Sequence, residues 1–456
     1  MRGSRPNILL VTIDTLRADH LSVYGYERQT SPFLDRLASE GVRFASATVQ
    51  WPKTGPSFAS MLTATYPSDN GIVRHVGIEL PCEFRMLAEI LQEQGYSSHA
   101  VVSNGAVASE LLYDQGFDSF IDTWKMEVPE GVDPNGAGFV TDQALEALGR
   151  FAPDKPYFLW VHYLDPHHPY APPEPYRDRF QDDAFFDPTE QISVADNPNQ
   201  QMVQVGYRMV LDGRTELDFY RARYDAEIAY ADSQVERLLG GMEERGLLEK
   251  TLTVMTSDHG ESLGEHYFYF DHGRFAFNTC QEVPLIMHYP GALEPRVVDS
   301  PVPLIDLMPT LLEVADIELE QGRYLQGHSL VPLLLGEERE EREIIFGEAG
   351  MALPNWQHSA RQGKFKLIYA PNRSAQRFVG GVGNAFVLYD TEADPGETKD
   401  VKDQHPEIFE SLRKELWLHT RDEPFNALID TSIGTCRSGQ GLDAETESQL
   451  KALGYL

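Results

Sequence analysis

The chain has 456 residues, 41% of them hydrophobic, with 71 acidic against 38 basic side chains and a net charge of -33. That length predicts one large domain with a smaller companion, long enough to bury a complete site. The charge repels nucleic acid and anionic lipid, and no apolar run approaches the ~18 residues of a membrane span, so nucleic-acid and membrane partners are excluded and the acidity reads as a solvated surface.

The opening residues Met1 to Asn7 run straight into Ile8-Leu9-Leu10-Val11. An apolar run this short, with no small-residue cleavage site after it, predicts a buried strand and not a signal peptide, hence a cytoplasmic protein. In chain order, strands are expected at Ile8 to Ile13, His99 to Ser103, Tyr157 to Tyr163, Thr251 to Thr256 and Val283 to His288. Apolar residues at helical spacing mark Pro32 to Glu40, Phe58 to Thr63, Phe84 to Gln94, Asp142 to Phe151 and Tyr220 to Glu244. This alternation predicts a large, mostly parallel sheet sandwiched by helices, over residues 5–336. Residues 174–215, rich in Asp, Pro, Gln and Asn, read as a surface insertion that either shapes a substrate mouth or is a simple loop.

The charge run Glu337 to Glu343 begins the companion unit, residues 337–456. Strands are expected there at Ile344 to Phe346, Phe365 to Tyr369 and Phe386 to Tyr389, followed by a helix at Pro406 to His419. The spacing predicts a small antiparallel sheet. Cys82, Cys280 and Cys436 are odd in number and far apart, which argues against a disulfide framework and against a cysteine zinc site, and fits a reducing compartment. No internal repeat or low-complexity tract is present.

Several segments place polar residues at the ends of apolar strands. Ile8 to Ile13 delivers Asp14 at its carboxyl end, where open α/β sheets bind ligands. Asp14 alone reads more readily as a helix cap than as a ligand. Thr251 to Thr256 leads to Ser257-Asp258-His259, and a carboxylate beside an imidazole, converging with Asp14, offers mixed oxygen and nitrogen ligands to one divalent cation. The turn Thr54-Gly55-Pro56-Ser57 opens a helix. It either caps that helix through Thr54 or Ser57, or aims the Thr54 hydroxyl and first-turn N–H groups at a bound anion.

Asn7 to Tyr26, Thr54 to Pro67, Ser257 to His266 and Leu388-Tyr389-Asp390 with Asp394-Pro395-Gly396-Glu397 resemble, in order and over nearly the whole length, the sulfatases of the alkaline phosphatase superfamily. In that family the second segment holds Cys-x-Pro-x-Arg, whose Cys, or rarely Ser, becomes formylglycine. Here Thr54 and Phe58 stand at the two ends of that motif, so no formylglycine is expected. The resemblance then points to superfamily members with an unmodified Ser or Thr, such as phosphodiesterases and phosphoethanolamine transferases.

Carried across, the resemblance implies a metal held by Asp14, Asp258, His259 and Thr54. Thr15 stands where many sulfatases have a further metal-binding Asp, and the Asp-His pair is similar to that of phosphonate monoester hydrolases. The imidazole favours Mn²⁺ or Zn²⁺ over Ca²⁺. His162 to Tyr170 is similar to the family's His-x-Pro element, which puts His167 near the leaving group with His168 as the alternative. A second metal on Asp165 with His167 or His168 is the less favoured arrangement. His272 falls at one family lysine position, and Asn104, close to another, would donate to substrate. The implied activity is metal-dependent hydrolysis of a small anionic ester with one negative charge (a phosphate diester, phosphonate monoester or sulfate ester) through a covalent Thr54 intermediate. Transfer of the group to an alcohol, or a non-catalytic binding role, are the alternatives. A homo-oligomer is compatible with the sequence.

Overall fold

The computed structural model describes residues 5–73, 78–152, 154–195, 205–206, 210–318, 325–338, 344–350, 356–420 and 442–453. Cys436, residues 339–343 of the charge run, and residues 196–204 and 207–209 of the insertion lie outside them.

The large sheet is built from β1 (Asn7–Ile13), β2 (Val42–Thr48), β3 (Ser97–Val102), β4 (Ser119–Asp122), β5 (Tyr157–Tyr163), β6 (Thr251–Thr256), β7 (Glu282–His288), β8 (Arg296–Val298) and β9 (Val302–Pro303). Its order is β8-β2-β7-β6-β1-β5-β3-β4, with β9 also on β2. Every pairing is parallel except those of β7, which runs against both neighbours. The expected mostly parallel sheet is therefore present. β2 and β4 were not expected: β2 is rich in small residues and β4 has only four, so neither carries a strong apolar run.

Successive residues of a strand face opposite sides of a sheet. In β1, Ile8 and Leu10 enter one core, with Phe58 and Trp160, while Leu9, Val11 and Ile13 enter the other, with Tyr220, Tyr224 and Ile228. A strand buried on both faces reads as a continuous apolar run, as this one does. Helices α1 (Pro32–Glu40), α2 (Thr54–Thr63), α3 (Ala137–Leu148) and α4 (Leu217–Glu244) cover the sheet. α2 is buried along its whole length, whereas α4 is a 28-residue helix with a polar outer face. The described part of the insertion packs on α4: Asp187 N–H donates to Asp218, and the Tyr176 and Tyr230 rings lie 5.4 Å apart.

The smaller sheet is four-stranded and antiparallel: β10 (Ile345–Ala349), β11 (Gln357–Gln362), β12 (Phe365–Tyr369) and β13 (Phe386–Asp390). β11 was not expected, because Gln-His-Ser-Ala-Arg-Gln has no apolar alternation. It forms because neighbours on both sides pair with it. α5 (Pro406–Thr420) packs on this sheet through Leu412 and Leu416, and α6 (Ala444–Ala452) follows near the end of the chain.

The expectation of three reduced cysteines is corrected: Cys82 is disulfide-bonded, while Cys280 is buried and free. Separation in sequence does not limit approach in the fold, and an odd count guarantees only one leftover thiol. The thiol argument for a reducing compartment therefore falls. Among the described residues no helix is long and apolar enough to cross a membrane.

Candidate active site

Four adjacent strands, β6, β1, β5 and β3, end on one edge of the sheet, and the loops leaving them supply the site. Thr12 is in register with Thr256, so Asp14 and Asp258, each two residues further on, emerge side by side. Asp14, Asp258 and His259 are all buried, and one ligand atom from each falls within 4.8 Å of the others. His259 Nε2 lies 3.3 Å from Asp258 Oδ2 and 3.8 Å from Asp14 Oδ1. Neither of those oxygens has a hydrogen-bond partner among the described residues.

The donor set fits a divalent cation. His259 Nδ1 lies 2.9 Å from the Gly260 carbonyl oxygen, which only accepts, so Nδ1 carries the proton and Nε2 presents its lone pair to the two carboxylates. Burial pushes the Asp14 carboxyl up to about 8, holds Asp258 well above the usual carboxylate range with help from the Asp14 charge, and lowers His259 to about 3. Two carboxylates in one dry pocket resist ionising together, and a bound cation would remove that conflict. Among the described residues no other group of three such side chains approaches this closely, and Asp165 turns away to accept the Ala137 N–H at the start of α3.

Thr54 is the first residue of α2, and Lys53 precedes it in extended conformation with no side-chain cap. The Thr54 hydroxyl oxygen stands 3.2 Å from His259 Nε2. Ser57 does not cap either: its hydroxyl donates to the Asp258 carbonyl at 2.6 Å, binding helix and ligand loop together. Phe58 is fully buried against Trp160 and His162, with ring centroids at 4.8 and 4.9 Å. The position is thus part of the core, which contributes about 2 kcal/mol of apolar burial.

Thr15 holds φ at 55°, a left-handed backbone that is strained for a β-branched residue, at a cost of order 1–3 kcal/mol. Its N–H approaches Asp258 Oδ1 at 3.3 Å, and its carbonyl accepts from the Tyr224 hydroxyl at 2.7 Å. The turn is held from both sides.

Asn104 follows β3 and is buried. Its Nδ2 donates to Asp14 Oδ2 at 2.6 Å, and its Oδ1 accepts the Ala106 N–H at 2.9 Å. In this structure its amide serves Asp14, one step from where substrate was expected. His272 lies over His259, ring centroids 4.1 Å apart, with Nδ1 3.2 Å from Glu261 Oε1. The His167 ring is 5.3 Å from that of His272, and His168 stacks on His167 at 4.5 Å. His167 Nδ1 faces the His168 carbonyl at 2.7 Å, so Nδ1 carries the proton of the neutral ring. Burial holds His167 and His272 well below the usual imidazole range.

Three residues escaped the sequence reading. Lys53 is buried, its charge acts on His167, His259 and His272, and burial lowers it to about 7 against the pull of Asp271. A Cβ on Gly273 would lie 2.8 Å from Lys53 Cδ, so the lysine stem crosses this glycine. One signal existed: Lys53 is the only charged residue between Arg43 and Asp69. His162, in β5, is reached by a chain of hydrogen bonds. Trp160 Nε1 donates to Thr12 Oγ1 at 3.0 Å, and that oxygen is 3.0 Å from His162 Nδ1. His162 Nε2 lies 3.4 Å from Asp14 Oδ2. Glu261, fully buried, is the partner of His272.

A doubly wound α/β scaffold whose strand ends gather two carboxylates, imidazoles and a hydroxyl defines an ester-hydrolase type of centre. Residues 6–317 match the family model described as Sulfatase, and residues 264–422 match one described as N-sulphoglucosamine sulphohydrolase, C-terminal. The chain belongs to the sulfatase family and is an ester hydrolase of that family. It is 26% identical to an arylsulfatase of Clostridium perfringens over 469 residues, covering 90% of this chain and 94% of that protein. It is also 26% identical to a choline-sulfatase of Rhizobium meliloti, covering 88% and 83%. The fold is shared with the phosphonate monoester hydrolase of Agrobacterium radiobacter, at TM-score 0.72 and 23% identity over 91% of this chain and 95% of that one.

Proposed function

We propose that this protein hydrolyses esters carrying one negative charge through a covalent ester on Thr54. The candidate substrates are phosphate diesters, phosphonate monoesters and sulfate esters. The observation that carries the reading is the Thr54 hydroxyl at the start of a buried helix, 3.2 Å from His259 Nε2 and beside two carboxylates, each with an oxygen that has no hydrogen-bond partner among the described residues. Asp14, Asp258, His259 and Thr54 would hold one divalent cation, with Mn²⁺ or Zn²⁺ favoured by the imidazole. That ion, when bound, would lower the pKa of the Thr54 hydroxyl and neutralise charge on the phosphoryl or sulfuryl oxygens.

Thr54 Oγ, passing its proton to His272 or His167, forms the new bond to phosphorus or sulfur as the bond to the leaving oxygen breaks, and that oxygen takes the proton from the same imidazole. The Thr54 and Gly55 N–H groups at the start of α2, with Lys53, hold the non-bridging oxygens. Threonine has no second hydroxyl on its reacting carbon, so the ester cannot collapse as a formylglycine hemiacetal does. Water must attack phosphorus or sulfur, giving its proton to the same imidazole, which passes it to the departing Thr54 Oγ. Phosphoryl centres accept such a second displacement more readily than sulfuryl ones, which ranks phosphorus esters first. The similarity to named sulfatases keeps sulfate in the set.

The test is a panel of nitrophenyl phosphate mono- and diesters, phosphonates and sulfates, run with several divalent metals on wild type and Thr54→Ala. Metal-dependent turnover that falls at least ~10³-fold in Thr54→Ala is expected, the scale of losing a nucleophile. Wild-type rates in Thr54→Ala overturn the mechanism.

A further inference from the structure

The end of the chain returns to the metal-ligand shell. Asn104 reaches Asp14 Oδ2 from a short segment, Ser103 to Gly105, in which all three residues are buried. The Ser103 hydroxyl donates to the His162 carbonyl at 2.7 Å, which ties the segment to β5. Its other tie comes from α6: Gln449 Nε2 donates to the Ser103 carbonyl at 2.8 Å across 346 positions of sequence.

Contact between α6 and this segment is close at Gly105. A Cβ on Gly105 would lie 2.5 Å from Gln449 Oε1 and 3.3 Å from Leu450 Cγ, so a side chain there would push the Gln449 amide aside. Leu450 is fully buried there. The helix is anchored at its other end as well. Asp443 caps it by accepting the Thr446 N–H at 2.8 Å and pairs with Lys125 at 3.3 Å, while Trp124 Nε1 donates to the Thr446 hydroxyl at 3.2 Å. Gln449 Nε2 also lies 3.3 Å from Asn135 Oδ1. α6 therefore spans two loops, and Gln449 is its one polar group directed at the segment that carries Asn104.

We propose that Gln449 is a positioning residue of the Asp14, Asp258 and His259 centre, acting by clamping Ser103 to Gly105 so that Asn104 stays against Asp14. This rests on the metal-binding reading proposed above. The Asn104 amide, through its 2.6 Å bond, fixes which Asp14 oxygen is engaged and leaves Oδ1 turned toward His259 and Asp258. Outer-shell partners of metal ligands commonly set affinity by 10- to 100-fold. Loss of the clamp, one link further out, is expected at about tenfold.

The experiment measures Mn²⁺ and Zn²⁺ affinity by calorimetry on metal-stripped full-length protein for wild type, Gln449→Met, Gly105→Ala and Asp14→Asn, with thermal midpoints of the metal-free forms. Gln449→Met keeps the shape and removes the donor. Gly105→Ala keeps the donor but crowds its amide away from Ser103. Weakening of about tenfold in both variants, at a metal-free midpoint close to wild type in at least Gln449→Met, is the expected result. Unchanged affinity in Gln449→Met or Gly105→Ala overturns the proposal, whatever happens to the midpoint, because α6 is then a structural prop alone. If wild type and Asp14→Asn bind the ions equally, the metal site itself is wrong and the clamp falls with it. Tight binding by wild type, lost in Asp14→Asn but kept in Gln449→Met, removes only the clamp.

Discussion

The Thr54 hydroxyl oxygen and His259 Nε2 lie 3.2 Å apart although 205 positions separate them in the chain. The two atoms face a common point with Asp258 and Asp14, because Ser57 pins the start of α2 to the Asp258 carbonyl. A threonine at the start of a helix is ordinarily a cap. Here it sits one residue inside the helix, where its hydroxyl is directed at the ligand cluster.

Lys53 should govern substrate binding more than the chemical step, since it lies beside Thr54 without sharing the ligand cluster. Lys53→Met is expected to raise KM for anionic esters about 10- to 100-fold, the worth of one charge-assisted hydrogen bond, with a smaller change in kcat. Gly273→Ala should reproduce part of this, because its Cβ would strike the lysine stem and its φ of 82° disfavours a side chain. Steady-state kinetics on one diester decides the point; a pure kcat effect in Lys53→Met contradicts it.

Proton donation to the leaving oxygen matters most when that oxygen is basic. Replacing His272 by Ala is expected to slow alkyl esters by ~10²–10⁴ and nitrophenyl esters far less, since nitrophenolate departs without help. His167→Ala, compared over the same two substrates, identifies which imidazole is the donor. Equal losses on both leaving groups in both variants would rule out either histidine as the acid.

Metal binding should tighten as pH rises from about 6 to about 8. In the metal-free protein Asp14 holds its proton up to about 8 and Asp258 is raised as well, against about 3.9 in the unfolded chain. A carboxyl raised on folding stabilises the folded state at low pH, and that contribution is lost as pH climbs through the folded value. A cation replaces those protons, so the gap between thermal midpoints with and without Mn²⁺ should widen over this window. The buried histidines, lowered on folding, are neutral in both states above about pH 6.5 and add no slope there. Lys53, lowered to about 7, runs the other way, but it is one group against two carboxyls. Scanning calorimetry across the range provides the measurement, and a constant gap refutes it.

Much of the scaffold was legible because buried parallel strands are continuous apolar runs, as Ile8 to Ile13 and Tyr157 to Tyr163 are. β2, β4 and β11 were not legible, since small or polar residues in short strands are recruited by their neighbours. Asp14, Asp258 and His259 could be proposed from the sequence because polar residues directly follow apolar strands. His162 could not, because a histidine inside a strand carries no sign of its partner until Thr12 and Asp14 are placed beside it.

By itself the sequence determined the family, the doubly wound sheet and the residues at the strand ends. These are local properties, written in runs and motifs along the chain. Only the tertiary structure decided what those residues do to one another. It showed that Thr54 does not cap its helix, that Asn104 is bound to Asp14, that Lys53 crosses Gly273 into the pocket, and that Gln449 reaches back to Ser103. Such relationships depend on strand order and on the few ångströms between loops far apart in sequence, and no local pattern encodes a distance of that kind.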